Sequence, residues 1–241
     1  MVRTIALVFV AFIGVLAGVG ALIAQTARQS PMQHAQMGGH DMGSPHEMDV
    51  HHSFGNAEQW AKEFDDPSRD AWQKPDEVLD ALHLQRTDKV ADIGAGTGYF
   101  SVRIAKRVPD GTVFAVDIEP DMVRYLGERA KREHLNIVVP VLASADSPNL
   151  PEPVDLVLVV DTYHHMQNRV AYFSKLRQLL RPNGRVAIID FKVDAPEGPA
   201  PQFRNPPEKV TAELEQAGYR LVASHPFLPM QYFLVLQRNA S

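Results

Sequence analysis

Residues 90–101, Val-Ala-Asp-Ile-Gly-Ala-Gly-Thr-Gly-Tyr-Phe-Ser, place one carboxylate, Asp92, two positions ahead of Gly94, Gly96 and Gly98. Apolar residues before Asp92 read as a buried strand, and the glycines let the backbone turn tightly beside a bound ligand. From Phe100 the pattern becomes helical. Three further carboxylates follow at the ends of apolar runs: Asp117 after 112–116, Asp146 after 136–142 and Asp161 after 154–160. An acid at the end of the second strand can accept both hydroxyls of a ribose. The spacing Gly-x-Gly-x-Gly differs from the dinucleotide fingerprint, because Tyr99 stands where Gly-x-Gly-x-x-Gly needs its third glycine. A pyrophosphate cradle is therefore disfavoured, and a nucleotide-dependent oxidoreductase ranks last among the readings.

The elements that position these residues can be followed along the chain. A short amphipathic helix near 57–64 breaks at Asp65-Asp66-Pro67, and Pro75 opens a second helix. After the glycine turn come a strand at 112–117, a helix from Pro120 and a strand at 136–142. The continuous apolar run 154–160 suits a central parallel strand buried on both faces. A helix from about Asn168 to Arg181 precedes a strand at 185–191. A proline-rich connection, a helix ending at Gly218, and two closing strands at 219–227 and 231–237 complete the chain. Such alternation predicts an α/β fold, a doubly wound Rossmann-like sheet of seven strands with helices on both faces.

Ahead of this domain, residues 4–24 carry no charged side chain and follow Arg3, as a signal peptide or a membrane anchor would. On either reading the positive-inside rule puts the remaining chain on the exported, periplasmic side. Residues 25–52 form a linker rich in methionine and histidine. Met32, His34, Met37, His40, Met42, His46, Met48, His51 and His52 either bind a soft metal such as copper or sit on a plain flexible tether. Residues 53–74 are expected to be a lid or flap, and residues 75–241 the main domain.

The chain has 241 residues, a formal net charge of −5 and no cysteine. That balance gives no reason to expect a nucleic-acid partner, and the missing thiols exclude disulfides, iron–sulfur clusters and cysteine nucleophiles.

With Asp117, Asp146 and the fifth-strand pattern Leu-Leu-Arg-Pro-Asn-Gly-Arg-Val-Ala-Ile-Ile-Asp-Phe, the glycine run resembles motif I of the class I S-adenosylmethionine-dependent methyltransferases. The resemblance covers roughly residues 75–238. It implies an antiparallel last strand beside the fifth, S-adenosylmethionine as cofactor and an enzyme acting on a small-molecule acceptor. It also implies a cofactor site at Asp92, Gly94, Gly96, Gly98, Asp117, Ile118, Ala145, Asp146 and Asp161. Asp117 would meet the ribose. Asp146 would meet the adenine amino group, or else cap its own turn. Tyr163, His164 and His165, after the fourth strand, would face the acceptor, with a histidine taking a proton or capping the next helix. A non-catalytic cofactor- or copper-binding protein on the same fold is the alternative.

Overall fold

The computed structural model describes residues 55–239, so the expectations for the leader and the Met/His tract lie outside the described residues. Seven strands form one sheet: β1 Lys89–Ile93, β2 Thr112–Asp117, β3 Val138–Leu142, β4 Val154–Val160, β5 Leu180–Phe191, β6 Tyr219–His225 and β7 Gln231–Arg238. Their order is β3-β2-β1-β4-β5-β7-β6. The first five are parallel, and β7 runs antiparallel between β5 and β6. The order reverses between β1 and β4, and ligands of open α/β sheets bind in the crevice that such a reversal leaves at the strand tips.

The helices are α1 Ala57–Phe64, α2 Asp70–Gln73, α3 Pro75–Leu82, α4 Ser101–Arg107, α5 Pro120–Arg132, α6 Arg169–Leu176 and α7 Pro207–Gln216. The alternation of β4 explains its unbroken apolar run. Leu156, Leu158 and Val160 pack in one layer with Leu79, Leu82, Ile104 and Leu126, while Val157 and Val159 pack in the other with Phe173, Leu176, Val210 and Leu214. A polar residue at positions 156–160 of β4 would face a core on either side.

Among the boundaries that differ from the sequence reading, two have a local cause. The third strand starts at Val138 because the chain is still turning after α5, with Val138 N–H donating to Leu135 O at 3.0 Å. The helix expected to reach Arg181 ends at Leu176, and β5 already begins at Leu180. Its pairing with β4 jumps from Val154↔Leu180 to Leu156↔Arg185, so residues 181–184 bulge outward. The Arg181 guanidinium fastens the bulge to β4 by donating to Asp155 Oδ2 at 2.8 Å.

Among the described residues, no helix is long and apolar enough to cross a membrane.

Candidate functional site

The glycine turn is moulded onto the tip of β2. Gly94 N–H and Ala95 N–H both donate to Val116 O, at 2.8 and 3.0 Å. Gly96 N–H donates to Asp117 Oδ2 at 2.7 Å, while Asp117 Oδ1 accepts Glu119 N–H at 3.0 Å. Burial raises the Asp117 pKa, against the pull of those two amides. Asp92 lies beneath the turn. It is 3% exposed and accepts the Ser101 hydroxyl at 2.6 Å, tying the end of β1 to the start of α4. Burial pushes its pKa up to about 6, in spite of that bond.

At Gly94 the backbone has φ +75°, and an added Cβ would lie 2.5 Å from Thr162 Cγ2. Thr162 is itself held, its hydroxyl donating to Val160 O at 2.8 Å. Gly94→Ala is therefore expected to cost about 2–4 kcal/mol, from left-handed strain and overpacking together. Gly127→Ala in α5, whose Cβ would meet Pro140 Cγ at 3.7 Å, serves as the control. There the melting temperature should hold or rise, since alanine is favoured over glycine by about 1 kcal/mol within a helix.

On the β2–β3 side, Ile118 is 50% exposed and Leu142 47%, and Leu142 pairs in register with Asp117. Ala145 and Asp146 are exposed in the loop beyond. Asp146 accepts the Ser144 hydroxyl at 2.9 Å and the Lys175 ammonium at 3.2 Å, which hold its pKa below the usual carboxylate range.

On the β4–β5 side, Asp161 has φ +52° and turns its carboxylate into a largely buried polar cluster. Its Oδ2 accepts Gln73 Nε2–H at 3.1 Å, its Oδ1 accepts an N–H of Gln231 Nε2, and Arg69 Nη2 lies 3.5 Å from Oδ2. Burial, then the nearby Asp190 charge, raises its pKa to about 6, with Arg69 pulling the other way. An acid raised on folding from 3.8 to about 6 binds its proton more tightly in the folded chain. Its contribution to stability is complete below pH 3.8 and is lost as the pH climbs through about 6.

His164 stands beside this cluster. Its Nδ1 is 2.9 Å from Asp190 Oδ1 and 3.0 Å from Oδ2, and its backbone N–H donates to Oδ2 at 3.1 Å. An ionised Asp190 makes Nδ1 the donor and leaves Nε2 with a free lone pair, the form a general base requires. The His165 ring lies 4.1 Å from that of His164. Tyr163 precedes the two histidines on the same turn. It is buried, its ring 5.7 Å from that of Phe173 and 4.9 Å from the Arg169 Cζ, and its hydroxyl donates to Glu213. The left-handed backbone at Asp161 and the short 3₁₀ turn at Tyr163–His165 send that ring into the core.

The segment ahead of α3 lies across the glycine turn. The Phe64 ring is 3.3 Å from where a Gly96 Cβ would be, and Asp65 accepts the Thr97 hydroxyl at 3.1 Å. Arg129 Nη1 donates at 2.9 Å both to Asp65 and to Thr97 O. A cavity of about 710 Å³ opens elsewhere, lined by Met166, Asn168, Arg169 and Glu213, and it includes none of the strand-tip carboxylates.

Residues 90–184 match the protein family described as "Methyltransferase domain". The fold resembles the crystal structure of a SAM-dependent methyltransferase from Aquifex aeolicus, with a TM-score of 0.70 and 26% identity, covering 75% of this chain and 98% of that one. Over residues 90–184 the chain carries a methyltransferase domain. Two curated relatives of this methyltransferase domain are each 32% identical to it. They are the 27-O-demethylrifamycin SV methyltransferase of Amycolatopsis mediterranei, over 51% of this chain and 46% of that one, and the ubiquinone/menaquinone biosynthesis C-methyltransferase of Neisseria meningitidis, over 47% of each. The chain spans about half the length of the curated relatives it matches.

The donor set of the methyltransferase domain suits S-adenosylmethionine. Asp117 keeps lone pairs on both oxygens for a ribose diol, Ile118 and Leu142 offer an apolar rim for a planar base, and Asp161 offers an anion for an ammonium group. Asp190, Arg69, Gln73 and Gln231 were not singled out from the sequence. Only Asp190 had a local signal, as another carboxylate near the end of an apolar strand.

Proposed function

We propose that this chain methylates a hydroxyl or an acidic carbon on a small aromatic acceptor, with His164 taking the proton. The observation that carries the reading is the His164–Asp190 pair, 2.9 Å apart beside the strand tip that ends at Asp161. When bound, S-adenosylmethionine supplies a sulfonium-activated methyl group, and its transfer leaves S-adenosylhomocysteine. Asp117, the glycine turn and Asp161 bind and orient, which can lower a barrier by several kcal/mol when the reacting atoms are aligned. Asp190 fixes the imidazole so that Nε2 can receive the proton of an aromatic or enolic hydroxyl, or of the ring carbon after it forms its new bond.

An aromatic acceptor is favoured by the rim next to β5. Trp72 and Phe191 have ring centroids 5.8 Å apart, and Val193 and Phe203 are 49% and 39% exposed in the connection that follows. Two of the relatives are, by their names, a methyltransferase for the 27-oxygen of a rifamycin and a C-methyltransferase of ubiquinone/menaquinone biosynthesis, the oxygen and carbon acceptor types of this proposal. The test is to incubate the full chain with S-adenosylmethionine labelled in its methyl group and a panel of phenols, hydroquinones and naphthols. Label is expected in at least one member of the panel. Binding of the cofactor without transfer to any of them would count against the aromatic acceptor.

A further inference from the structure

The amino-acid end of the cofactor is a zwitterion, and Asp161 matches only its ammonium half. A cation at the same strand tip would match the carboxylate half. Most arginines near the turn are engaged on the outside of the fold: Arg103 with Asp70, Arg107 with Asp76 and Asp80, Arg124 with Glu58 and Asp121. Arg69 differs. Its side chain is 16% exposed and its Nη2 is 3.5 Å from Asp161 Oδ2.

Arg69 is also held from several sides. Its Nη1 donates to Phe64 O at 2.8 Å, its Nε donates to Gln73, and its Cζ sits 4.2 Å from the ring centroid of Tyr99, the residue after Gly98. The guanidinium thus lies between the glycine turn and the tip of β4, preorganised before any ligand arrives. Asp161 is the less satisfied partner. Burial and Asp190 outweigh Arg69 and the amide donors, so an additional cation at its oxygens is favourable.

We propose that Arg69 and Asp161 form one subsite for the α-amino-carboxylate end of the cofactor, Arg69 taking the carboxylate and Asp161 the ammonium. This inference rests on the cofactor reading above. The Gln73 amide holds Asp161 Oδ2 until the ammonium displaces it. The segment ahead of α3 then supplies a binding group, beyond covering the turn. A guanidinium recognises a carboxylate through two parallel N–H bonds, which an ammonium cannot reproduce.

The test compares two ligands by calorimetry on the full chain: S-adenosylhomocysteine, and its decarboxylated analogue S-adenosyl-3-thiopropylamine, which keeps the amine and lacks the carboxylate. The unsubstituted protein should prefer S-adenosylhomocysteine by about 30-fold, the worth of a charged hydrogen-bonded pair. In Arg69→Met, which keeps the aliphatic stem over Tyr99, the preference should shrink to about threefold or less. Arg69→Lys should recover part of it. Asp161→Asn should weaken both ligands alike, because both carry the amine. An undiminished preference in Arg69→Met, with S-adenosylhomocysteine still bound by the unsubstituted chain, overturns this inference and leaves the cofactor reading intact. If the folded, unsubstituted chain binds neither ligand, the cofactor reading fails and the inference falls with it. A merely structural latch at Arg69 would lower the melting temperature of Arg69→Met and leave the ligand ratio where it was.

Discussion

His164→Ala is expected to lower kcat by about 10²–10⁴-fold while leaving the affinity for S-adenosylhomocysteine within about twofold, since general-base catalysis contributes in that range and acts after binding. The imidazole meets Asp190 through Nδ1 at 2.9 Å on the β4–β5 side of the site, whereas the glycine turn and Asp117 follow β1 and β2. Asp190→Asn should move in the same direction. An amide at that place can present its N–H₂ to Nδ1 and turn the imidazole to the wrong tautomer, so that Nε2 carries the hydrogen. The Asn variant would also weaken the acceptor for His164 N–H, now 3.1 Å from Oδ2, and for Phe191 N–H, 2.8 Å from Oδ1. Turnover with an acceptor found in the phenol panel, together with calorimetry on the same preparations, checks both. A His164→Ala enzyme with undiminished kcat would remove the imidazole from the mechanism.

Asp117→Ala is expected to weaken cofactor binding by about 10²–10⁴-fold, from the loss of two hydrogen bonds to a charged acceptor at about 1.5–3 kcal/mol each. The stability cost should be smaller. Gly96 N–H and Glu119 N–H lose their acceptor, but a carboxylate whose burial is itself unfavourable is removed with it. A melting curve and a titration on the variant separate the two effects. If the melting temperature collapses and affinity per folded molecule is unchanged, Asp117 is a scaffold for the turn and not a ribose ligand.

Much of this arrangement is legible in the sequence because it is local. The α1 helix at Ala57–Phe64 ends where Asp65-Asp66-Pro67 breaks it, and the apolar run of β4 announces a strand covered on both faces. The antiparallel placement of β7 beside β5 follows from the family resemblance, with the short turn before Gln231 consistent with it. What sequence periodicity misses is set by contacts between distant residues. Gln73 reaches Asp161 across 88 positions and Gln231 reaches it across 70, and nothing near Arg69 in the chain indicates that it will face the same carboxylate. The surroundings of Tyr163 were hidden for a related reason. Tyr163 neighbours His164 in sequence, yet one left-handed residue at Asp161 is enough to send the two side chains to different surroundings. The early start of β5 depends on Arg181 finding Asp155 on β4, a pairing that no helical or strand pattern encodes.

The most direct measurement is a calorimetric titration of the full chain with S-adenosylmethionine and with S-adenosylhomocysteine, repeated on Asp117→Ala. One site of about micromolar affinity for each, lost in the variant, is the expected result, since such an affinity corresponds to roughly 8 kcal/mol of binding free energy. No heat from either ligand with the folded chain, or equal binding by Asp117→Ala, would contradict the assignment of the strand tips to this cofactor.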